Sequence, residues 1–200
     1  MASDTTIYLV RHGETDYNRD NIYQGTLDIP LNVTGHLQTL SLRARLSHVQ
    51  FDAAYSSPLR RAMDTARTIV RELPVITIPE LRELSYGSWQ GLSRDARQRT
   101  DAEFDRRWRS HPWSVRFPNG ESLQELHERV SASMTEIVHR HRGQTILVSG
   151  HGHVNRIALL FFTETDRNEF WNIDQPNGSC CRLTLTHDHD TQRVRYDYIT

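Results

Sequence analysis

Lysine is absent from this 200-residue chain, and all 24 of its basic residues are arginine. That excludes chemistry needing an amine: a P-loop lysine on a nucleotide phosphate, a Schiff base or a pyridoxal-phosphate linkage. Any oxyanion bound here must be held by guanidinium, imidazole, hydroxyl or backbone amide groups. Cysteine is scarce. Cys180 and Cys181 are adjacent; neighbours on a strand face opposite sides of a sheet, so a disulfide between them is not expected. No cysteine spacing of metal-site type occurs. The longest apolar run, 157–162, falls far short of the ~20 residues of a membrane span. Residues 1–10 show no charged-then-apolar leader, which predicts a reduced, cytoplasmic protein with no membrane partner. Neither sign of charge dominates: 25 acidic residues against 24 basic give a net charge of −1, no footprint for nucleic acid.

What is present suits one core. The apolar fraction is 36%, and single domains commonly hold ~100–200 residues, so residues 1–200 read as one domain. The run at 5–10 (TTIYLV) predicts a buried strand ending in Arg11-His12-Gly13. Residues 16–32 are polar and read as loop. Thr34 is the expected N-cap of a helix whose apolar face carries Leu37, Leu40 and Ala44. A strand at 51–56 precedes Ser57-Pro58, read as a cap and first turn of a helix ending near Arg71. A third strand covers 75–78. Residues 93–118 are arginine-rich and mostly helical, and 121–142 form a long amphipathic helix, so that about 93–142 is a helical insertion expected to roof the site. A fourth strand, 144–149, ends in Gly150-His151-Gly152-His153 before an apolar helix at 154–162. Segments 180–186 and 193–199 form an antiparallel pair about a turn at 187–192.

Strands alternating with helices predict an α/β three-layer sandwich with a mainly parallel central sheet flanked by helices. Ligands bind such sheets beyond the carboxyl ends of the strands. Strand–Arg-His-Gly and strand–Gly-His-Gly therefore place His12 and His151 at one sheet edge. Two imidazoles, Arg11 and the arginines of Ser56-Ser57-Pro58-Leu59-Arg60-Arg61 suit a phosphoryl group, which carries ~1.5 to 2 negative charges near neutral pH. No carboxylate cluster for a metal is evident, so the nucleophile must come from the protein, and a neutral imidazole can serve.

Arg11-His12-Gly13-Glu14-Thr15 with Asn18 resembles the signature of the histidine phosphatase superfamily, the phosphoglycerate mutase-like enzymes. Tyr23-Gln24-Gly25, Ser57-Pro58-Leu59-Arg60-Arg61-Ala62, Leu81-Arg82-Glu83-Leu84, Gly120-Glu121-Ser122-Leu123 and Ser149-Gly150-His151-Gly152 follow in family order, so the likeness spans about 5–186. The resemblance implies that His12 becomes phosphorylated. It implies that Arg11, Asn18, Arg60 and His151 grip the phosphoryl oxygens, and that Glu83 protonates the leaving alkoxide and then takes a proton from water. Gln24, Gly25 and Gly152 would line the pocket. No metal and no cofactor are implied; the partner is a small phosphorylated metabolite, and homodimers are frequent in the family. The segment between Glu83 and Gly120 is similar to the phosphatase branch, including phosphoserine and α-ribazole phosphatases. The expected activity is a metal-independent phosphatase of small phosphomonoesters. A cofactor-dependent phosphoglycerate mutase is the alternative, with a protein-phosphohistidine phosphatase and a non-catalytic phosphate-binding module behind it.

Other features read as structural. His139/His141, His151/His153 and His187/His189 have no third ligand at metal spacing; the last pair reads as a solvated turn. Arg94, Arg97, Arg99, Arg106, Arg107 and Arg109 interleave with acids and read as an exposed, self-neutralised face. Trp108 and Trp113 read as packing anchors. Selectivity positions are sought at Tyr23, Thr26, Trp108, Arg116, His153 and Asn155, with Arg116 meeting a substrate carboxylate.

Overall fold

The β-branched run near the start folds as β1 (Thr5–Arg11), a strand buried along most of its length in a computed structural model that describes residues 4–188 and 191–199. Two parallel strands follow, β2 (Ala53–Ser56) and β3 (Val75–Thr77), then β4 (Thr145–Gly150) and the antiparallel pair β5 (Cys180–Asp188) and β6 (Thr191–Tyr198). They form one six-stranded sheet of order β3-β2-β4-β1-β5-β6, parallel across β3, β2, β4 and β1. β5 and β6 run antiparallel to their neighbours. The α/β sandwich with a mainly parallel sheet is the architecture expected. The pairing extends to Asp188↔Thr191, so the turn is tighter than 187–192; His189 lies outside the described residues.

Side-chain alternation divides the core between the two faces. Ile7, Leu9, Ile146 and Val148 pack with Leu126, Val130 and Met134 of α6 (Leu123–Arg140) and Val154 and Ile157 of α7 (Gly152–Thr163). Tyr8, Val10 and Leu147 face the other way, onto Leu42 of α2 (Val33–Arg45) and Ala66 and Ile69 of α3 (Arg60–Val70). Cys181 joins the first cluster and Cys180 the second; both are free, and burial pushes each thiol up to about 12.

Four local expectations change, the first at the start of α3: its N-cap is Leu59 with no side-chain cap, so Ser57 and Pro58 precede the helix instead of opening it. Residues 16–32 contain a short helix, α1 (Asp16–Arg19), because Thr15 and Asn18 close a capping box over its first turn. The cap of α2 is Asn32, not Thr34, and its side chain accepts from the Gly35 N–H at 2.8 Å. The buried face of α2 is Gly35, Thr39 and Leu42, while Leu37 and Leu40 are exposed. Contact with the loop after β1 decides that orientation. Gly13 and Gly35 meet backbone to backbone: a Cβ on Gly35 would stand 2.1 Å from the Glu14 carbonyl oxygen, and one on Gly13 2.4 Å from the Gly35 oxygen. Between α3 and α6 lie two further short helices, α4 (Arg94–Thr100) and α5 (Ala102–Ser110).

Gly35→Ala is expected to lower stability by about 1–3 kcal/mol through this overpacking. Urea unfolding at neutral pH would measure it, and a midpoint equal to wild type would refute the close approach.

Candidate active site

Strand register builds the centre. Ser56 pairs with Ser149 between β2 and β4, and Gly150 pairs with Arg11 between β4 and β1. The next residues, Ser57, His151 and His12, therefore leave three adjacent strands side by side. The Ser57 and His12 amides continue the ladders, donating to the Ser149 and Gly150 carbonyls at 3.0 and 3.2 Å. The His12 and His151 rings lie 5.1 Å apart, edge to face, with both residues almost wholly buried. The juxtaposition expected from the two strand-turn segments is thus present.

Hydrogen bonds assign the tautomer of His12. Its Nδ1 lies 2.7 Å from the Gly13 carbonyl, which can only accept, so Nδ1 carries the proton. Its Nε2 accepts from Arg61 Nε at 3.2 Å, which marks it as the lone-pair nitrogen. Burial, then Arg61, His151 and Arg11, holds the imidazole well below the usual histidine range. A neutral ring with a free Nε2 pair is a nucleophile at pH 7. His151 Nε2 lies 2.7 Å from Ser57 Oγ, and its Nδ1 has no partner among the described residues. Burial, then Arg61, keeps His151 neutral too.

The guanidinium beside His12 belongs to Arg61, not to Arg60. Arg60 is exposed, and among the described residues its side chain has no hydrogen-bond or ion-pair partner, its backbone N–H donating to Asp28 Oδ1 at 2.7 Å. Arg61 is fully buried; besides Nε on His12, its Nη1 and Nη2 donate to the Leu27 and Gly25 carbonyls, both at 2.7 Å. Helical phase explains the exchange, since the buried stripe of α3 is Arg61, Ala62, Thr65, Ala66 and Ile69. That phase is readable in the sequence, where Arg60 stands one position off it. Burial brings Arg61 and Arg11 down to about 10, so both remain cationic at neutral pH. Arg11 donates through Nη1 to the Gln175 carbonyl, and its buried Nε has no partner among the described residues.

Arg11, Asn18, Gln24, Gly25, Glu83 and Gly152 all line one cavity of about 500 Å3. Asn18 Oδ1 is occupied by Thr15 and by Asn177 Nδ2, which frees its amide NH2 for a ligand. Glu83 is buried; its Oε1 accepts from the Leu84 N–H at 2.9 Å, and its Oε2 lies 3.2 Å from His153 Nδ1. Burial alone would raise this carboxyl. The close contact and hydrogen bonds of His153, then His151 and the Leu84 N–H, outweigh burial and hold Glu83 well below its usual range.

The rest of the wall differs from expectation. Tyr23, Trp108 and His153 line it, but Arg116 does not: it is exposed and ion-paired with Glu125 at the start of α6. Thr26 bonds to Gln90, and Asn155 is buried against Gln175. Besides Arg11, the cations lining the cavity are Arg94, Arg109 and Arg156. Arg94 and Arg109 thus leave the self-neutralised face assigned to their segment, although Arg109 keeps Asp105 as a partner at 2.8 Å. Within 93–142, α4 and α5 supply wall residues, while α6 packs into the core. The roles of Ser57, Asn177 and Arg156 have no local signature, because each rests on contact between distant segments. Among the described residues no three His, Cys, Asp or Glu side chains group as a metal site.

The buried neutral histidines make stability depend on pH. His12, His151 and His153 all have folded pKa values below the unfolded value of 6.5. Between the two values the unfolded chain binds more protons, so stability is lost as pH falls below about 6.5, up to roughly tenfold in the folding constant per pH unit for each ring. The melting temperature should fall between pH 7.5 and 5.5; a flat profile would contradict the neutral assignment.

Comparison with known proteins agrees with this geometry. The family model described as the histidine phosphatase superfamily (branch 1) matches residues 7–197. The chain is 34% identical over 175 residues to phosphoserine phosphatase 1 of Hydrogenobacter thermophilus, covering 86% of this chain and 83% of that protein. It is 33% identical over 193 residues to a 2,3-bisphosphoglycerate-dependent phosphoglycerate mutase of Bartonella tribocorum, covering 92% and 93%. The crystal structure of the α-ribazole phosphatase from Shigella flexneri superposes with a TM-score of 0.82 at 30% identity, over 95% of this chain and 94% of that one. No helix among the described residues is long and apolar enough to cross a membrane. By its paired imidazoles, its sheet and these likenesses, the chain is an enzyme and belongs to the histidine phosphatase superfamily, branch 1.

Proposed function

We propose that this enzyme hydrolyses small-molecule phosphomonoesters through a phosphohistidine on His12, without a metal ion. The observation that carries the reading is the His12 tautomer: Nδ1–H is tied to the Gly13 carbonyl, and the Nε2 lone pair stands among Arg61, Arg11 and His151. An arriving phosphoryl group takes over the Arg61 Nε–H and meets Nε2. Its oxygens satisfy the unpartnered Arg11 Nε and, with Ser57 donating to His151 Nε2, the Nδ1–H of His151. These fixed donors stabilise the charge of the transferring group at no cost of reorganisation.

Glu83 supplies the proton steps. It is a carboxylate in the empty protein, and the negative charge of a bound ester raises it, so substrate binding brings the acid's proton with it. As the P–O bond breaks, that proton goes to the leaving oxygen; as water attacks the P–N bond, a water proton returns to Glu83. Arg94, Arg109 and Arg156 make the cavity wall positive, which suits a small anionic substrate. Relatives named for phosphoserine, α-ribazole and phosphoglycerate share the phosphoryl chemistry and differ in the alcohol. A mutase is the second reading, supported by the Bartonella likeness; it would pass the phosphoryl group to a second hydroxyl instead of to water.

Brief exposure to a 32P-labelled phosphomonoester should leave an acid-labile label on the wild type and none on His12→Ala, with turnover unaffected by EDTA. A labelled His12→Ala protein would sink the assignment. Incubation with 3-phosphoglycerate separates the two readings: free phosphate marks the phosphatase, and 2-phosphoglycerate formed with a bisphosphate primer marks the mutase. Arg61→Ala should lower kcat/KM by roughly a hundredfold or more, whereas Arg60→Ala should stay within about twofold of wild type, as exposed substitutions usually do.

A further inference from the structure

We propose that His153 is a positioning residue that works with Glu83 as one acid–base dyad, orienting the carboxylate and sharing the proton that passes to the leaving alcohol. The proposal rests on the phosphohistidine reading above and assigns its proton step to two residues instead of one.

The contacts are specific. Glu83 Oε2 lies 3.2 Å from His153 Nδ1 and 3.3 Å from the His153 backbone N–H, so one residue holds that oxygen twice. The Leu84 N–H holds Oε1. The carboxylate plane is thereby locked, with the remaining lone pairs available to the cavity that Glu83 and His153 both line. His153 is itself fixed by rings: it stacks on Phe170 at 5.6 Å, with Trp108, Tyr86 and Trp171 around it. A histidine so enclosed, in the first turn of α7 and bonded to a buried carboxylate, is placed to do more than fill space.

The proton bookkeeping closes. When the P–N bond to His12 forms and the P–O bond to the alcohol breaks, Glu83 gives up its proton and becomes a carboxylate, which His153 Nδ1–H stabilises. When water attacks, the P–N bond breaks and a proton from water returns to the dyad, which ends as it began. The charged and titratable groups facing His153 are Glu83 and Tyr86 from the turns at 81–89, Arg11 at the end of β1 and Arg156 on α7. From α5 and the 167–171 turn it meets the rings of Trp108, Phe170 and Trp171, while Arg109 on α5 is paired with Asp105. His153 is the foremost influence lowering the Glu83 carboxyl against burial. Its removal lets burial prevail, and the carboxyl rises.

His153→Phe keeps the ring stack and removes the donor, while His153→Gln restores an N–H without a titrating ring. In the Phe variant the alkaline limb of the kcat profile, where Glu83 loses the proton that the alcohol needs, should move up by about one pH unit. Turnover of phosphoserine and glycerol 2-phosphate should fall roughly ten- to a hundredfold. It should fall less for p-nitrophenyl phosphate, whose phenolate leaves without a proton, so the ratio between the substrates rises. The Gln variant should recover part of the rate and return the limb toward wild type. A limb and a substrate ratio unchanged in both variants would overturn the role of His153, and if the Phe variant does not fold, the Gln variant alone decides by its ratio. The 32P label is measured in the same preparations: an unlabelled wild type defeats the phosphohistidine reading itself, whereas a labelled one with an unmoved limb defeats only the dyad.

Discussion

The parallel register of β2, β4 and β1 is the constraint on which the site depends. Ser56↔Ser149 and Gly150↔Arg11 are backbone pairings, insensitive to the side chains they carry, yet they set Ser57, His151 and His12 in a row within a single ladder step of one another. Four parallel strands presenting their carboxyl ends to one edge leave the following residues outside the ladder but still held by it, through the Ser57 and His12 amides. A slip of one residue would turn each side chain to the opposite face and destroy both the core and the paired imidazoles. Packing on the two faces of the sheet therefore also maintains the spacing of the site.

Burial then tunes what the register has assembled. Removing His12 and His151 from water disfavours their charged forms, and the neighbouring Arg61 and Arg11 push the same way. The result keeps an unprotonated nitrogen next to guanidiniums, an arrangement that exposed residues in water could not hold so firmly. The cations pay for it by giving up hydration, and carbonyl oxygens compensate: Leu27 and Gly25 take both Nη groups of Arg61, and Gln175 takes Arg11. Glu83 follows the opposite logic. Burial would neutralise it, and hydrogen bonds donated by His153 and the Leu84 N–H keep it ionised. Three groups with different protonation states thus share one small volume, each set by its own neighbours.

The absence of lysine gives the wall a consistent character. Two of the cations at the cavity are planar forks with an aromatic or carboxylate companion: Arg156 lies over Phe170 and Trp171, and Arg109 is bonded to Asp105. Fixed forks lose little freedom when they meet an oxyanion, and the rings around His153 stiffen the same region.

Much of this was legible in the chain. Short apolar and β-branched runs marked the strands, and the repeated strand-then-His-Gly pattern placed His12 and His151 together, because strand ends in a parallel sheet share an edge whatever the helices do. Phase along a helix could also have been read, and would have chosen Arg61 over Arg60, since only Arg61 falls in step with Ala62, Thr65 and Ile69. The amphipathic pattern of α2 misled, because a backbone contact between Gly13 and Gly35 outweighed the apolar residues Leu37 and Leu40. What remained beyond reach were partnerships across long separations in sequence: Ser57 with His151, Asn177 with Asn18, Glu83 with His153, and the replacement of Arg116 by Arg156 at the cavity. Local sequence determines the period and termination of each element, because those follow from nearest-neighbour sterics and side-chain alternation. Which polar side chains meet in the interior is decided only when the elements pack, because a hydrogen bond depends on distances of a few tenths of an ångström that no single segment controls.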